Sequence, residues 1–209
     1  NFSASKRSAT SVALSWRDNS NSEAGYEVQV SESQDFSAIL NTITVSADVS
    51  ETVVEELSES RTYFFRVRTK FSDTDSEFAE VVSATTNTMP LLSEDIEVDV
   101  SGSDFVVFPE KLFRDVFSDA DGESAKKLKI LSLPRGIRNF EVGFDFKIEE
   151  PMEFDLDLIT NFRGEDILRY RANNGLTGTT SFEFTISDGF DFAETSRKVI
   201  INVLKPQFE

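Results

Sequence analysis

The sequence LSWRDNSNSEAGYEV, residues 14–28, decides the fold of the first half of this 209-residue chain. Apolar and polar side chains alternate at both of its ends, with Leu14 and Trp16 before the polar middle and Tyr26 and Val28 after it. This period of two is typical of a half-buried β-strand. The middle, residues 18–23, consists of Asp, Asn, Ser and Glu, and the first three of these residue types favour turns. The stretch therefore predicts two strands joined by a polar loop.

The same alternation continues outward to residue 88, in short runs separated by polar turns, and no sustained helical period interrupts it. About seven strands are predicted, at residues 2–5, 10–17, 25–31, 38–45, 52–57, 61–70 and 77–86. The first half therefore predicts an all-β unit.

Three features of this half resemble one known family. Residues 14–28 resemble the second and third strands of bacterial fibronectin type III domains, Tyr63 follows Leu57 at the spacing of that family's tyrosine corner, and VVSATT at 81–86 resembles its last strand. The resemblance covers about residues 1–88 and implies a β-sandwich with Trp16 in its core. It also implies that the Tyr63 hydroxyl caps a backbone carbonyl at the rim.

A break follows in the sequence NTMPLLS, residues 87–93, because Pro90 cannot continue a strand ladder. We assign residues 1–88 to the first domain, 89–94 to a linker and 95–209 to a second domain. The apolar Leu91 and Leu92 favour a packed joint over a flexible Gly/Ser-rich tether.

The second domain again shows strand-like alternation, beginning with Ile96, Val98 and Val100. Apolar spacing within residues 108–117 predicts one or two helical turns. Further strands are predicted at residues 105–108, 127–132, 140–148, 153–158, 166–171, 180–187 and 196–204.

Both ends of the second domain resemble bacterial cadherin-like repeats of the dystroglycan and tandem-95 types. The residues concerned are VFSDADGE at 116–123, LSLP at 131–134 and GTTSFEFTISDG at 178–189. The resemblance implies a second antiparallel, immunoglobulin-like sandwich, so the predicted fold class is all-β with two sandwiches in tandem. Residues 135–164 depart from the family pattern, being longer, charged and rich in Phe. We expect any specific binding surface there, formed by Phe140, Phe144, Phe146 and Phe154.

The acidic segment Asp119 to Glu123 is the strongest candidate for a metal site. Its side chains Asp119, Asp121 and Glu123 alternate with small residues and can direct several carboxylate oxygens toward one point, as calcium requires. Similarity to the cadherin-like repeats implies such a loop. Asp188, from the opposite end of the domain, is a candidate fourth ligand. The alternative is that Asp and Gly simply build turns at both places.

Other acidic groups favour a structural interpretation. The loop at residues 18–23 can bind an ion or a partner, but its composition is that of a turn. Asp95, Glu97 and Asp99, with Asp73 and Asp75, can bind calcium at a domain junction or form a solvated strand face.

The composition excludes several classes of function. The chain has no His and no Cys, which removes imidazole and thiol catalysis, and nothing singles out a glycosidase pair among 38 acidic residues. The net charge of −17 opposes binding to nucleic acid. The sequence contains no run of 18 apolar residues, so it does not predict insertion into a membrane. We therefore predict that the chain is not an enzyme.

The predicted function is that of noncatalytic spacer or adhesion modules, stiffened by calcium, in a large secreted or cell-surface bacterial adhesin. The lack of cysteine favours a bacterial source, because many eukaryotic secreted domains of this size carry a disulfide. The partners expected are neighbouring domains of the same chain and a surface polysaccharide or protein ligand. The alternative is a pair of accessory modules from a secreted polysaccharide-degrading enzyme.

Overall fold

Strands make up nearly all of the regular structure in the computed structural model, which describes residues 1–101, 105–142, 146–156 and 168–205. The chain divides into two compact units, Asn1–Thr88 and Met89–Glu209. The predicted all-β fold class is confirmed. The strands of the first unit are β1 (Phe2–Ser8), β2 (Ser11–Trp16), β3 (Gly25–Ser31), β4 (Asn41–Ser46), β5 (Glu51–Val54), β6 (Thr62–Lys70) and β7 (Val82–Thr85).

Two antiparallel sheets form the first unit, one with the order β1-β2-β5 and the other with the order β4-β3-β6-β7. Inward-facing residues of the two sheets alternate with outward-facing polar residues and meet in one core. Trp16 on β2 and Tyr26 on β3 join the sheets, with ring centroids 5.3 Å apart.

The tyrosine corner is present, but its hydrogen bond differs from the one expected. Tyr63 is 3% exposed, and its hydroxyl oxygen accepts a hydrogen bond of 3.0 Å from the backbone N–H of Ser58. The hydroxyl therefore satisfies a backbone donor in the turn before β6, whereas the sequence predicted that it caps a carbonyl.

The second unit contains one described helix, α1 (Glu110–Asp115), where the sequence predicted one or two helical turns. Leu112 is partly buried and Phe113 is fully buried, which explains the apolar spacing that predicted the helix. The strands are β8 (Leu91–Leu92), β9 (Ile96–Ser101), β10 (Phe105–Phe108), β11 (Phe117–Ser118), β12 (Lys127–Ile130), β13 (Ile137–Val142), β14 (Phe146–Lys147), β15 (Met152–Asp155), β16 (Leu168–Ala172), β17 (Gly178–Ser187) and β18 (Arg197–Leu204).

Nine of these strands form a five-stranded sheet, β15-β12-β17-β18-β9, and a four-stranded sheet, β10-β16-β13-β14, while β8 and β11 form a two-stranded sheet. Phe182 on β17 contacts both Phe108 and Phe140 of the other sheet, with ring centroids 5.5 and 5.0 Å apart. A shared aromatic core therefore lies between the sheets. The strands pair antiparallel, with one exception in the five-stranded sheet. There β9 and β18, the first and last strands of that sheet along the chain, run parallel.

Leu91 and Leu92 lie in the predicted linker, and in the structure they form β8. This strand pairs with β11 of the second unit, and the Leu92 side chain is buried in the core of that unit. Residues 86 and 87 are fully buried in the first unit, where the Asn87 N–H donates to the carbonyl of Ser8.

The Phe-rich surface predicted within residues 135–164 is corrected in part. Phe140 is 2% exposed and packs on Phe182, because its position on β13 faces the core. Phe154 is partly buried against the same core, whereas Phe146 is 60% exposed. Phe144 and residues 157–164 of this segment lie outside the described residues.

Candidate metal centres

The predicted calcium loop in the second unit follows β11 and is organised around Asp119. The Asp119 Oδ1 atom accepts hydrogen bonds from the backbone N–H groups of Asp121, at 2.8 Å, and Glu123, at 3.2 Å. Gly122 supplies a backbone φ of +88°, which closes the turn without steric strain. One oxygen of Asp119 is thus committed to the turn, as the structural interpretation of this sequence expected.

The second oxygen of the same carboxyl group is buried. Asp119 Oδ2 forms no hydrogen bond with the described residues. Burial raises the pKa of Asp119 above its ordinary value, and the adjacent Glu123 carboxyl acts in the same direction. A divalent cation between these two carboxyl groups would remove their repulsion and occupy the buried oxygen.

Asp188 lies at the turn after β17 and is 2% exposed. Its Oδ1 atom accepts hydrogen bonds from the N–H groups of Phe190, at 2.6 Å, and Asp191, at 2.8 Å. This arrangement is an Asx turn. Asp119, Asp121, Glu123 and Asp188 do not bring three carboxylates within 4.8 Å of one another, and their binding of calcium stays a prediction.

Three of the predicted junction acids, Asp95, Asp99 and Asp75, have local partners. Asp95 accepts a hydrogen bond from the Lys198 N–H at 2.8 Å, and Asp99 accepts one from the Asn202 side chain at 3.0 Å, so both stabilise the β9–β18 pair. Asp75 lies 3.0 Å from the Arg68 guanidinium.

In the first unit, three carboxylates come together that the sequence did not group. Oxygens of Asp18, Glu23 and Asp48 lie within 4.8 Å of one another, and this is the one such group among the described residues. Asp18 and Glu23 lie in the loop between β2 and β3, whereas Asp48 lies in the turn between β4 and β5. We call these three residues the acidic cluster.

The backbone at Gly25 brings these two loops together. Gly25 pairs with Ser46 across β3 and β4, has a φ of +147°, and passes so close to β4 that an added Cβ would lie 2.3 Å from the carbonyl oxygen of Val45. Near this close contact between β3 and β4, Glu23 Oε1 accepts a hydrogen bond of 3.3 Å from the Asp48 N–H. Asp18 Oδ1 accepts one of 3.0 Å from the Ser20 N–H.

These features of the first unit, from the seven-stranded sandwich to the buried Trp16 and the Tyr63 corner, indicate a single family. Residues 1–85 match the family model for the fibronectin type III domain. This part of the predicted resemblance is confirmed. Domains of this family are generally noncatalytic spacer or adhesion modules, and they are common in extracellular proteins.

Several solved structures resemble the chain. A two-domain fibronectin type III segment of chicken tenascin is 12% identical and aligns over 97% of each chain with a TM-score of 0.38. A fibronectin type III domain of human contactin 1 is 17% identical, over 41% of this chain and 73% of its own, with a TM-score of 0.38. The sixth such domain of human fibronectin type III domain containing protein 3 is 20% identical, over 41% and 79%, with a TM-score of 0.35. No curated protein matches the sequence.

In the acidic cluster, the pKa values of Asp18 and Glu23 lie below their ordinary values, so these two carboxylates are ionised at neutral pH. The Tyr26 hydroxyl, which faces the Asp18 carboxylate, and the Ser20 N–H hold the pKa of Asp18 below its ordinary value. The backbone N–H of Glu23 itself and the Ser20 side chain lower the pKa of Glu23, against the opposing charge of Asp18. The domain therefore concentrates negative charge where the two loops meet.

Sequence reasoning found Asp18 and Glu23 but not Asp48. Asp48 is 25 residues from Glu23 and becomes its neighbour only through the register of β3 against β4. One local signal was available, since Asp is among the few residues that adopt left-handed backbone readily, and Asp48 has a φ of +61°. That signal indicates a turn and gives no information about a metal ligand.

Proposed function

We propose that this chain is a noncatalytic spacer and adhesion segment of a large secreted or cell-surface bacterial protein. The observation that carries the proposal is the match of residues 1–85 to the fibronectin type III domain, a noncatalytic module in its family at large. A second unit with a separate core follows it directly in the chain. Tandem modules with separate cores are suited to spanning distance.

Both units contain more acidic than basic residues, and this supports the spacer function. Acidic residues outnumber basic ones by 14 to seven in residues 1–88 and by 24 to 14 in the rest of the chain. Mutual repulsion between such modules opposes their association with one another. No helix within the described ranges is long and apolar enough to cross a membrane.

Calcium stiffening of the second unit is part of this proposal. The buried Asp119 Oδ2 and the adjoining Glu123 carboxyl support it, because a cation bound there would neutralise two carboxyl groups in a desolvated position. Millimolar calcium is expected to raise the melting temperature by preferential binding to the folded state. Identical melting curves in calcium and in EDTA would contradict this part.

The spacer proposal is tested by stretching the chain between two handles in single-molecule force spectroscopy. Two unfolding steps, of about 30 and 40 nm, are expected because each unit unfolds cooperatively. Extension without resolved steps would show that the segment does not resist force.

A second measurement separates adhesion spacers from modules that serve a polysaccharide-degrading enzyme. The chain is incubated with insoluble cellulose, chitin and starch, and the bound fraction is measured after sedimentation. A spacer is expected to stay in solution. Saturable retention on one of the polysaccharides would instead favour the accessory-module function.

A further inference from the structure

The acidic cluster of the first unit combines three charges with buried oxygens that lack hydrogen-bond partners. Glu23 Oε2 is buried and accepts no hydrogen bond in the described structure. Tyr26 is 3% exposed, and its hydroxyl faces the Asp18 carboxylate without forming a hydrogen bond of normal geometry. Such groups are costly to bury unless something else binds them.

Repulsion between the carboxylates adds to the free-energy cost of burying these groups. Asp18, Glu23 and Asp48 have no ion-pair partner among the described Lys and Arg residues, although their oxygens lie within 4.8 Å of one another. At such separations, like charges repel, and partial burial strengthens the repulsion. Burial, followed by the Asp18 carboxylate, raises the pKa of Tyr26, so this hydroxyl stays neutral beside the cluster.

The geometry matches the requirements of a hard cation. Oxygens bound to one calcium ion at about 2.3–2.6 Å lie at most about 5 Å apart, and calcium accepts the irregular arrangement that two separate loops provide. The hydrogen bonds to the Ser20 and Asp48 N–H groups fix one oxygen each of Asp18 and Glu23. The carboxylates are thus held in place before any ion arrives.

We propose that Asp18, Glu23 and Asp48 bind one calcium ion where the loops after β2 and β4 meet. Waters complete the coordination. This site is separate from the loop at Asp119, and the proposal does not rest on the function proposed above. Bound calcium ties the β2–β3 loop to the β4–β5 turn and so links strands of the two sheets.

The proposal is tested on the full chain, with Asp48→Asn as the main variant. Asn tolerates the left-handed backbone at this position and removes one charge. Calcium affinity is measured by calorimetry after removal of metal with EDTA, with Asp119→Asn as the control in the second unit. We expect Asp48→Asn to weaken binding at this site by about tenfold or more, as the loss of one charged ligand implies. Asp119→Asn is expected to leave this site unchanged.

Melting temperatures test the proposal in a second way, because Asp48→Asn is expected to act differently with and without calcium. In EDTA, Asp48→Asn is expected to melt at the same or a higher temperature, because a repulsive charge is gone. In millimolar calcium, the variant is expected to lose the rise that this site gives the wild type. Glu23→Gln supplies a second variant if Asp48→Asn does not fold.

Terbium, a luminescent substitute for calcium, locates the ion. Tyr26 lies beside the cluster and Trp16 packs against Tyr26. Both rings are expected to sensitise terbium emission, which Asp48→Asn is expected to abolish and Asp119→Asn to retain. Equal terbium emission and equal calcium affinity in wild type and Asp48→Asn would overturn the proposal. So would a variant that is destabilised equally in EDTA and in calcium, since that result assigns the carboxylate a purely structural role.

Discussion

Tyr63 places its hydroxyl oxygen 3.0 Å from the N–H of Ser58, at a position where only 3% of the tyrosine is exposed. Tyr63→Phe keeps the ring but leaves this N–H without its acceptor, so we expect a loss of about 1–2 kcal/mol in the free energy of unfolding. Urea denaturation followed by the fluorescence of Trp16, the single tryptophan, measures it.

Thr62→Val is the matched control for this prediction. Thr62 is exposed, and its hydroxyl shares a 2.8 Å hydrogen bond with Thr85 that water can replace. The control is expected to change stability by less than about 0.5 kcal/mol. An equal effect of the two substitutions would show that the corner hydrogen bond contributes no stability of its own.

Asp119 makes the stability of the second unit depend on pH. Its folded-state pKa is raised, chiefly by burial, so the folded chain binds the proton more tightly than the unfolded chain does. Without calcium, the free energy of unfolding therefore falls as the pH rises from the pKa of Asp119 in the unfolded chain to its pKa in the folded chain. Above the folded-state pKa, the full destabilisation by the buried charge is present.

Asp119→Asn is expected to remove this penalty, because Asn keeps the acceptor for the Asp121 and Glu123 N–H groups without the charge. In EDTA the variant should melt above the wild type at pH 7, and the difference should disappear near pH 3. Scanning calorimetry across this range measures both. A variant that melts below the wild type at pH 7 would show that the charged form is the stabilising one.

At the scale of elements, Gly25 decides whether β3 can start beside β4. A Cβ at this position would lie 2.3 Å from a backbone oxygen of Val45, and the φ of +147° strains any residue other than glycine independently of this clash. Gly25→Ala is therefore expected to cost roughly 3 kcal/mol, measured by Trp16 fluorescence in urea.

Gly175→Ala separates the two causes of this cost. Gly175 also has a positive φ, of +81°, but nothing lies within 4 Å of an added Cβ. Strain alone is expected there, at about 1 kcal/mol, read from the unfolding of the second unit by circular dichroism. A cost at Gly25 no larger than that at Gly175 would rule out the backbone clash.

The sequence predicted strands better than it predicted which strands meet. Alternation located all seven strands of the first unit, because each buries one face against a single core. The parallel pairing of β9 with β18 and the strand at Leu91–Leu92 were not predicted, since both depend on partners far away in the sequence. The acidic cluster was missed for the same reason, because strand register brings Asp48 to Glu23. Turn chemistry at Asp119 and Asp188 is local, and the sequence offered it as an alternative to calcium there.

At the scale of the whole molecule, the two units bury separate sets of apolar side chains, one around Val12, Leu14 and Phe65 and the other around Phe182, Phe184 and Ile201. Because hydrophobic stabilisation comes from the contacts within each set, a cavity in one core is expected to act on that core alone. Ile201 on β18 is fully buried, and its neighbour Asn202 is only partly buried. Substitutions at these two positions therefore compare a core residue with a residue outside the core on the same strand.

Ile201→Ala is expected to cost the second unit about 2–5 kcal/mol, while the Trp16 fluorescence transition of the first unit keeps its midpoint. Circular dichroism, which reports strands of both units, should then show two separated transitions. Asn202→Ala removes a side chain outside the core together with its exposed hydrogen bonds to Asp99 and Thr179. It is expected to cost the second unit at most about 1 kcal/mol and to leave the transition of the first unit in place. A shift of the Trp16 transition in Ile201→Ala comparable to that of the second unit would show that the units unfold as one cooperative body, and the segment would then resist force as a single element.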